Sequence, residues 1–373
     1  SAVLEDLIAR YGICDAELST ECAINSERDL VVSILGFVKA GIGGERHVAS
    51  SAIIEQCARR FAMQITLGGT SVRAAIAMRK LGYTSALHLA TVNEHVRRLI
   101  PPDSPYVCSN AEDSAYPHLI VQFGPGARVR AGDIDLCAPR PNRIIYHDDH
   151  DNIRMAINEE YARLLPDARV FLVSGFNAMH SEALLRERLD ALLRVMAALP
   201  PDAYVFYEDA GFYDPSFSHL ILSVLAPRIS IYSLNEDELQ GHVGRQVDML
   251  DAGQVAAALG DLHKLIPIPL IVVHSMYWAL AYGGGAGRLQ HALRGGVTMA
   301  TTRFCCGDDW TVENYAAVGS LPPNPAGAAF AAAIATLLGA RVCCVPVAHV
   351  DPADATTIGL GDAFVGGFLP ALV

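Results

Sequence analysis

Gly359, Gly361 and Asp362 stand in the run Thr357-Ile-Gly-Leu-Gly-Asp, directly before the apolar residues Ala363-Phe-Val. Glycines at this spacing let successive backbone N–H groups turn into one hollow at the positive end of a following helix. Such a hollow suits an anion, above all a phosphoryl group gathering charge during transfer. Asp362 repels phosphate, so its natural partner is a hydroxyl whose proton it accepts. An anion hole beside a base is the equipment for phosphoryl transfer to an alcohol. The plainer reading, a helix capped after a glycine turn, satisfies the same residues.

Three other groups of residues could take part. Asn235-Glu-Asp-Glu238 has the spacing of a capping box, and Glu238 on a first helical turn also suits a water of a phosphate-bound Mg²⁺. Gly68-Gly69 precedes the small residues Ala74-Ala-Ile-Ala77. That pattern predicts either close helix–sheet packing or close backbone approach to a substrate hydroxyl. His147-Asp-Asp-His150-Asp151 lacks paired ligand spacing on a regular element and reads as a solvated loop. No Gly-x-x-x-x-Gly-Lys-Ser/Thr occurs, so a P-loop does not cradle the phosphates.

The elements that must position these residues follow from periodicity. Strands are expected at 29–38, 64–67, 83–89, 170–174, 204–208, 228–233, 270–274 and 342–347, with helices at 49–61, 70–81 and between the later strands. Regular alternation after residue 150 is the pattern of a parallel sheet with helices on both faces. In such folds ligands sit at the carboxyl ends of the strands, where Gly175, Glu208, Asn235 and His274 fall. Short alternating runs between about 106 and 147 predict antiparallel hairpins, a small β-rich lid. The glycine-rich stretch 282–287 reads as a hairpin tip.

Bulk properties narrow the function. The 373 residues carry a formal charge of −12 and no basic run, which disfavours nucleic acid and anionic membranes as partners. The apolar stretch 326–340 is shorter than the roughly 20 residues needed to span a bilayer. Nine cysteines without a C-x-x-C pair read as reduced thiols. The N-terminal residues show no signal pattern, and a soluble cytoplasmic protein is expected.

Taken in order, these pieces resemble the ADP-dependent glucokinase and phosphofructokinase family, a branch of the ribokinase-like superfamily. The resemblance rests on Leu67-Gly68-Gly69, Pro139-Arg140-Pro141-Asn142-Arg143 with Asp149 and Asn152 after it, and Val173-Ser-Gly175. It continues in Ser233-Leu-Asn235-Glu-Asp-Glu238, Val273-His274-Ser, Val345-Pro346 and the Gly359–Asp362 motif. It implies an α/β, doubly wound ribokinase-like parallel sheet over residues 1–373, with a small β-rich lid formed by segments near 37–62 and 106–150.

By position, the resemblance makes Asp362 the general base and the Gly359–Gly361 backbone the anion hole. It gives Glu238 with Asn235 and Glu208 a Mg²⁺ ion, and Gly68 and Gly69 the acceptor. Arg143 would meet the nucleotide phosphate, with His274, Tyr277 and Val350 flanking the adenine. The implied reaction is Mg²⁺-dependent phosphoryl transfer from ADP to a sugar or sugar phosphate. An ATP-dependent ribokinase-like sugar or nucleoside kinase, or an idle ligand-binding protein on this fold, are the alternatives. Residues 31–44 contain neither Asn nor Asp, so glucose is expected to be a poor acceptor. Lys39, Arg128, Arg130 and Arg140 are candidates to hold a charged one.

Overall fold

A computed structural model describes residues 2–140, 142–350, 356 and 358–373. Pro141, the stretch 351–355 and Thr357, which the motif readings include, lie outside the described residues. The chain forms two compact units: residues 1–65 with 114–151, and residues 66–113 with 152–373. Most of the expected lid, 37–62 and 106–150, falls in the first; residues 106–113 belong to the second.

In the larger unit a six-stranded sheet runs in the order Val342–Pro346, Trp278–Gly283, Leu270–His274, Ile231–Asn235, Tyr204–Glu208 and Val170–Val173. The last four strands in that order are mutually parallel. Alternate residues divide two cores, as period-two geometry requires. Tyr207, Tyr232 and Val273 face the helices Glu182–Met196, Ser216–Leu225, Ala252–Leu265 and Pro325–Leu338. Phe206, Ile231 and Val272 face Thr70–Lys80, Gln290–Cys306 and Leu360–Phe368. The sheet is therefore doubly wound, as expected.

The sheet is not wholly parallel. Trp278–Gly283, absent from the expected strands, pairs antiparallel with Leu270–His274 and with Val342–Pro346. The turn between the first two is 275–277, where the Ser275 hydroxyl accepts from the backbone N–H groups of Tyr277 and Trp278 at 3.2 Å. The 282–287 glycines thus end a strand and are no hairpin tip. Gly283 (φ 133°) is needed there because a Cβ would lie 2.1 Å from the Pro269 carbonyl oxygen.

Three further expectations fail, the last in part. Residues 29–38 form part of a helix, Glu27–Ala40, not a strand. Ser26 caps it by accepting from Asp29 N, and Gly41 ends it in the left-handed conformation at φ 67°. The apolar run is buried all round, so it lacks the polar stripe that marks an amphipathic helix. Residues 64–68 have no regular structure, are mostly exposed and pair with no strand among the described residues. From 83–89 only Leu87–Leu89 is a strand, paired with Tyr106–Cys108.

The smaller unit packs Glu27–Ala40 and Ser51–Ala58 against a three-stranded sheet of Gly44–His47, Asn142–His147 and Leu119–Phe123. A separate hairpin, Arg128–Ala131 with Ile134–Cys137, packs on Ala2–Tyr11. The 147–151 segment is not a solvated loop. His147 ends a strand, Asp149 is buried and His150 begins the helix His150–Arg154. No helix among the described residues is long and apolar enough to cross a membrane.

Leu360–Phe368, which carries Asp362, lies unusually close to its neighbours. A Cβ on Gly367 would meet the Gly295 carbonyl oxygen at 2.3 Å and Met299 Cβ at 2.4 Å, and one on Gly366 would meet Ala77 Cβ at 2.7 Å. Gly367→Ala should therefore destabilise the protein by about 1–3 kcal/mol through forced separation of two helices. Gly260→Ala is the control: it lies inside Ala252–Leu265 with nothing within 4 Å of an added Cβ, and should be neutral or slightly stabilising. Denaturant unfolding of both variants checks the contrast.

Candidate active site

Gly359 adopts φ 65° and sets the direction of Leu360–Phe368, whose first N–H groups have no intrahelical acceptor. Asp362 sits in the first turn of that helix. One of its carboxylate oxygens accepts the Thr70 hydroxyl at 2.8 Å, and the other lies 3.6 Å from Arg73 Nε. Both oxygens are thus oriented, one by a neutral donor and one by a cation. Thr70 reaches Asp362 because Gly69 opens Thr70–Lys80 at φ 82°, a conformation that strains any side chain. Tight packing does not explain the glycine pair, since an added Cβ at Gly68 or Gly69 meets nothing within 4 Å.

Arg73 and the buried Arg303 form a cationic pair beside this turn. Arg303 Nε donates to the Ile358 carbonyl at 2.7 Å, holding the chain just before Gly359. Asp308 ion-pairs with both guanidinium groups. Burial, and then Arg303, lower the Arg73 pKa. A guanidinium nevertheless keeps its charge in proteins, so two cations stand here between two carboxylates, Asp308 and Asp362. Thr70, Arg73 and Arg303 were not recognised as site residues in the sequence.

Across the sheet, Glu208, Asn235 and His274 stand together at the carboxyl ends of three adjacent strands, with Asn235 in register with His274. His274 Nε2 lies 3.0 Å from Glu208 Oε1, and its ring packs on Phe364 at 4.7 Å. A Cβ on Gly361 would come within 3.5 Å of His274 Cε1, so this imidazole lies next to the glycine turn. Burial works against its protonation, but the Glu208 hydrogen bond and the charges of Glu208, Glu238 and Glu236 raise its pKa. Tyr277 and Val350 are half-buried, in the 275–277 turn and in the segment after Val342–Pro346.

The remaining charge is acidic. The capping box is complete: Asn235 Oδ1 accepts from Glu238 N at 2.9 Å and Glu238 Oε2 accepts from Asn235 N at 2.8 Å. Glu208 is buried, and its Oε2 has no hydrogen-bond partner among the described residues. The buried Asp209, also missed in the sequence, accepts from Tyr232 Oη at 2.5 Å and lies 2.7 Å from His242 Nε2, while its Oδ1 has no partner among the described residues. Unsatisfied buried carboxylate oxygens are costly, and a cation is the group that answers them. Oxygen donors of this kind suit Mg²⁺.

Other expected residues fall elsewhere. Arg143 belongs to the smaller unit, on Asn142–His147 opposite Gln122. Arg128 and Arg130 both pair with Asp135, and Lys39 pairs with Asp15. Arg140 donates to the Gly41 carbonyl. The hairpin arginines and Lys39 are therefore exposed ion pairs, already engaged. Residues 31–38 are the buried part of a helix, so burial accounts for their lack of Asn and Asp, while residues 41–44 lie beyond it.

Burial pushes the Glu238 carboxyl up to about 7, with Glu208 and Asp209 adding to the rise and the Asn235 N–H opposing it. The folded state therefore keeps a proton that the unfolded chain loses near its ordinary value of 4.5. The stability this proton confers is complete below pH 4.5 and is lost as pH rises through about 7. In divalent-free buffer, wild type should lose up to about 3 kcal/mol relative to Glu238→Gln across that window. Urea unfolding at several pH values tests this, and parallel curves would assign the pH dependence elsewhere.

The family model described as the ADP-specific Phosphofructokinase/Glucokinase conserved region matches residues 3–369. A search of curated proteins finds no match. Among solved structures, the chain is similar to a hypothetical ADP-dependent phosphofructokinase from Pyrococcus horikoshii OT3, with 17% identity, TM-score 0.77, and coverage of 100% of this chain and 93% of that one. A phosphofructokinase from the same organism with AMP gives 18% identity, TM-score 0.76 and the same coverages. An ADP-dependent kinase complex with fructose-6-phosphate and ADPβS gives 14% identity and TM-score 0.70, covering 94% of this chain and 89% of that one. At these identities the likeness shows the fold.

Proposed function

The chain belongs to the ADP-specific phosphofructokinase/glucokinase family, kinases that move a phosphoryl group from a nucleotide to a sugar, and we propose that it does so from ADP with Asp362 as the base. The acceptor is a hydroxyl of a sugar or sugar phosphate. The observation that carries this reading is the Thr70–Asp362 bond at the start of Leu360–Phe368, which fixes a carboxylate beside helix N–H groups that have no intrahelical acceptor.

In this mechanism Asp362 takes the proton of the attacking hydroxyl as the new O–P bond forms and the bond to the departing AMP oxygen breaks. The Gly359–Gly361 backbone and Arg73 face the charge that spreads over the transferring group. Thr70 keeps Asp362 in one orientation. Gly68 and Gly69 leave the approach to Thr70 clear for the acceptor. Glu238, Asn235 and Glu208 would hold Mg²⁺ through water, and the orphaned Glu208 oxygen supports that assignment. Bound Mg²⁺ offsets phosphate charge. Tyr277 and Val350 are assigned to the nucleotide by resemblance; His274, next to Gly361, would sit near its phosphate end.

Asp362→Asn keeps an acceptor for the Thr70 hydroxyl, so the fold should survive while kcat falls roughly 10²–10⁴-fold with nucleotide affinity little changed. Near-normal turnover would remove Asp362 as base. Arg73→Ala should lower kcat more than it raises KM, because the charge it meets develops late. Initial rates with glucose and fructose 6-phosphate, each with ADP or ATP, identify donor and acceptor together. Transfer from ATP alone would replace the ADP reading, and no transfer from either would leave a binding protein on this fold.

A further inference from the structure

Independently of that reading, the smaller unit brings together side chains with no part in it. His118, His147 and Asp149 each offer one ligand atom, and these atoms lie within 4.8 Å of one another. The fold builds this convergence. Leu119 pairs with Tyr146 in an antiparallel ladder, which places His118 opposite His147 at the end of the sheet. Their ring centroids are 5.2 Å apart. Asp149 follows His147 by two residues, is buried, and lies 3.3 Å from His118 Nε2 through Oδ2.

A salt bridge between His118 and Asp149 accounts for only one imidazole. The second, His147, faces the first, and two protonated rings at that separation would repel. His147 Nε2 lies 3.4 Å from Glu45 Oε1, while its buried Nδ1 has no hydrogen-bond partner among the described residues. A neutral imidazole with one nitrogen oriented by a carboxylate is the state a metal ligand requires. At zinc–ligand lengths of about 2.0–2.2 Å, neighbouring donors in a tetrahedron stand about 3.3–3.5 Å apart. The His118–Asp149 contact already has that length, and the rest of the set is within about 1.5 Å of closing.

We infer that His118, His147 and Asp149 form a transition-metal site within the smaller unit, suited to Zn²⁺, with Glu45 orienting His147 through Nε2 and water completing the coordination. Two imidazoles and a carboxylate favour Zn²⁺ over Mg²⁺, which takes oxygen ligands. The ion would tie the start of Leu119–Phe123 to the end of Asn142–His147 and to the segment before His150–Arg154. Its role is to hold that edge of the sheet.

The experiment is titration of metal-stripped, full-length protein with ZnCl₂ by calorimetry, with Co²⁺ absorption as a reporter of tetrahedral coordination. One equivalent should bind at sub-micromolar Kd, raise Tm, and resist a large excess of Mg²⁺. His118→Asn, at an exposed position, and His147→Gln should each weaken binding by roughly 100-fold or more. Glu208→Gln should leave binding intact, which separates this site from the proposed Mg²⁺ site. Absence of a stoichiometric site in wild type, unchanged affinity in both histidine variants, or displacement by equimolar Mg²⁺ would each overturn the assignment.

Discussion

The candidate site depends on two helices touching backbone to backbone. Gly295 and Gly367 each leave no room for a side chain, because a Cβ on either would reach the other's carbonyl oxygen at 2.3 Å. This contact seats Leu360–Phe368 against Gln290–Cys306, while Gly366 meets Thr70–Lys80 through Ala74 and Ala77. Asp362, Thr70, Arg73 and Arg303 come from those three helices. Their mutual distances are therefore set by glycine and alanine packing, which is stiff, and less by flexible side chains.

Charge is distributed unevenly over the site. Arg73 and Arg303 crowd the glycine turn between Asp308 and Asp362, whereas Glu208, Asp209 and Glu238 gather at the strand ends. Only the acidic half is uncomfortable alone, with one oxygen each of Glu208 and Asp209 lacking a partner among the described residues, and a cation would relieve it. His274 stands between the halves, bonded to Glu208 and adjacent to Gly361. An otherwise acidic protein can hold an anionic ligand because the compensating charge is local.

Much of this was legible in the chain, and the exceptions have physical causes. Five of the six strands of the main sheet announce themselves as short apolar runs bounded by turns; Trp278–Gly283 does not. Asp362 and the Asn235–Glu238 box are visible because their spacing is local. Thr70, Arg73 and Arg303 owe their position to contacts with residues far along the chain, and no periodicity records such contacts. Thr70 had one available signal, its place directly after a glycine pair. Residues 29–38 were misread because a helix buried on all sides loses its polar stripe. Ser26 and Gly41 were the better guides there. The trio of His118, His147 and Asp149 needed the strand register before it could be seen.

The smaller unit is woven from two separated stretches of chain, and Gly44 pairs directly with Ile144 in a parallel ladder. Such a ladder cannot close until the second stretch has been made. During synthesis on the ribosome, the apolar face of Glu27–Ala40 must therefore wait through the intervening residues of the larger unit before its sheet arrives. During that interval the apolar residues of this helix are open to misassembly.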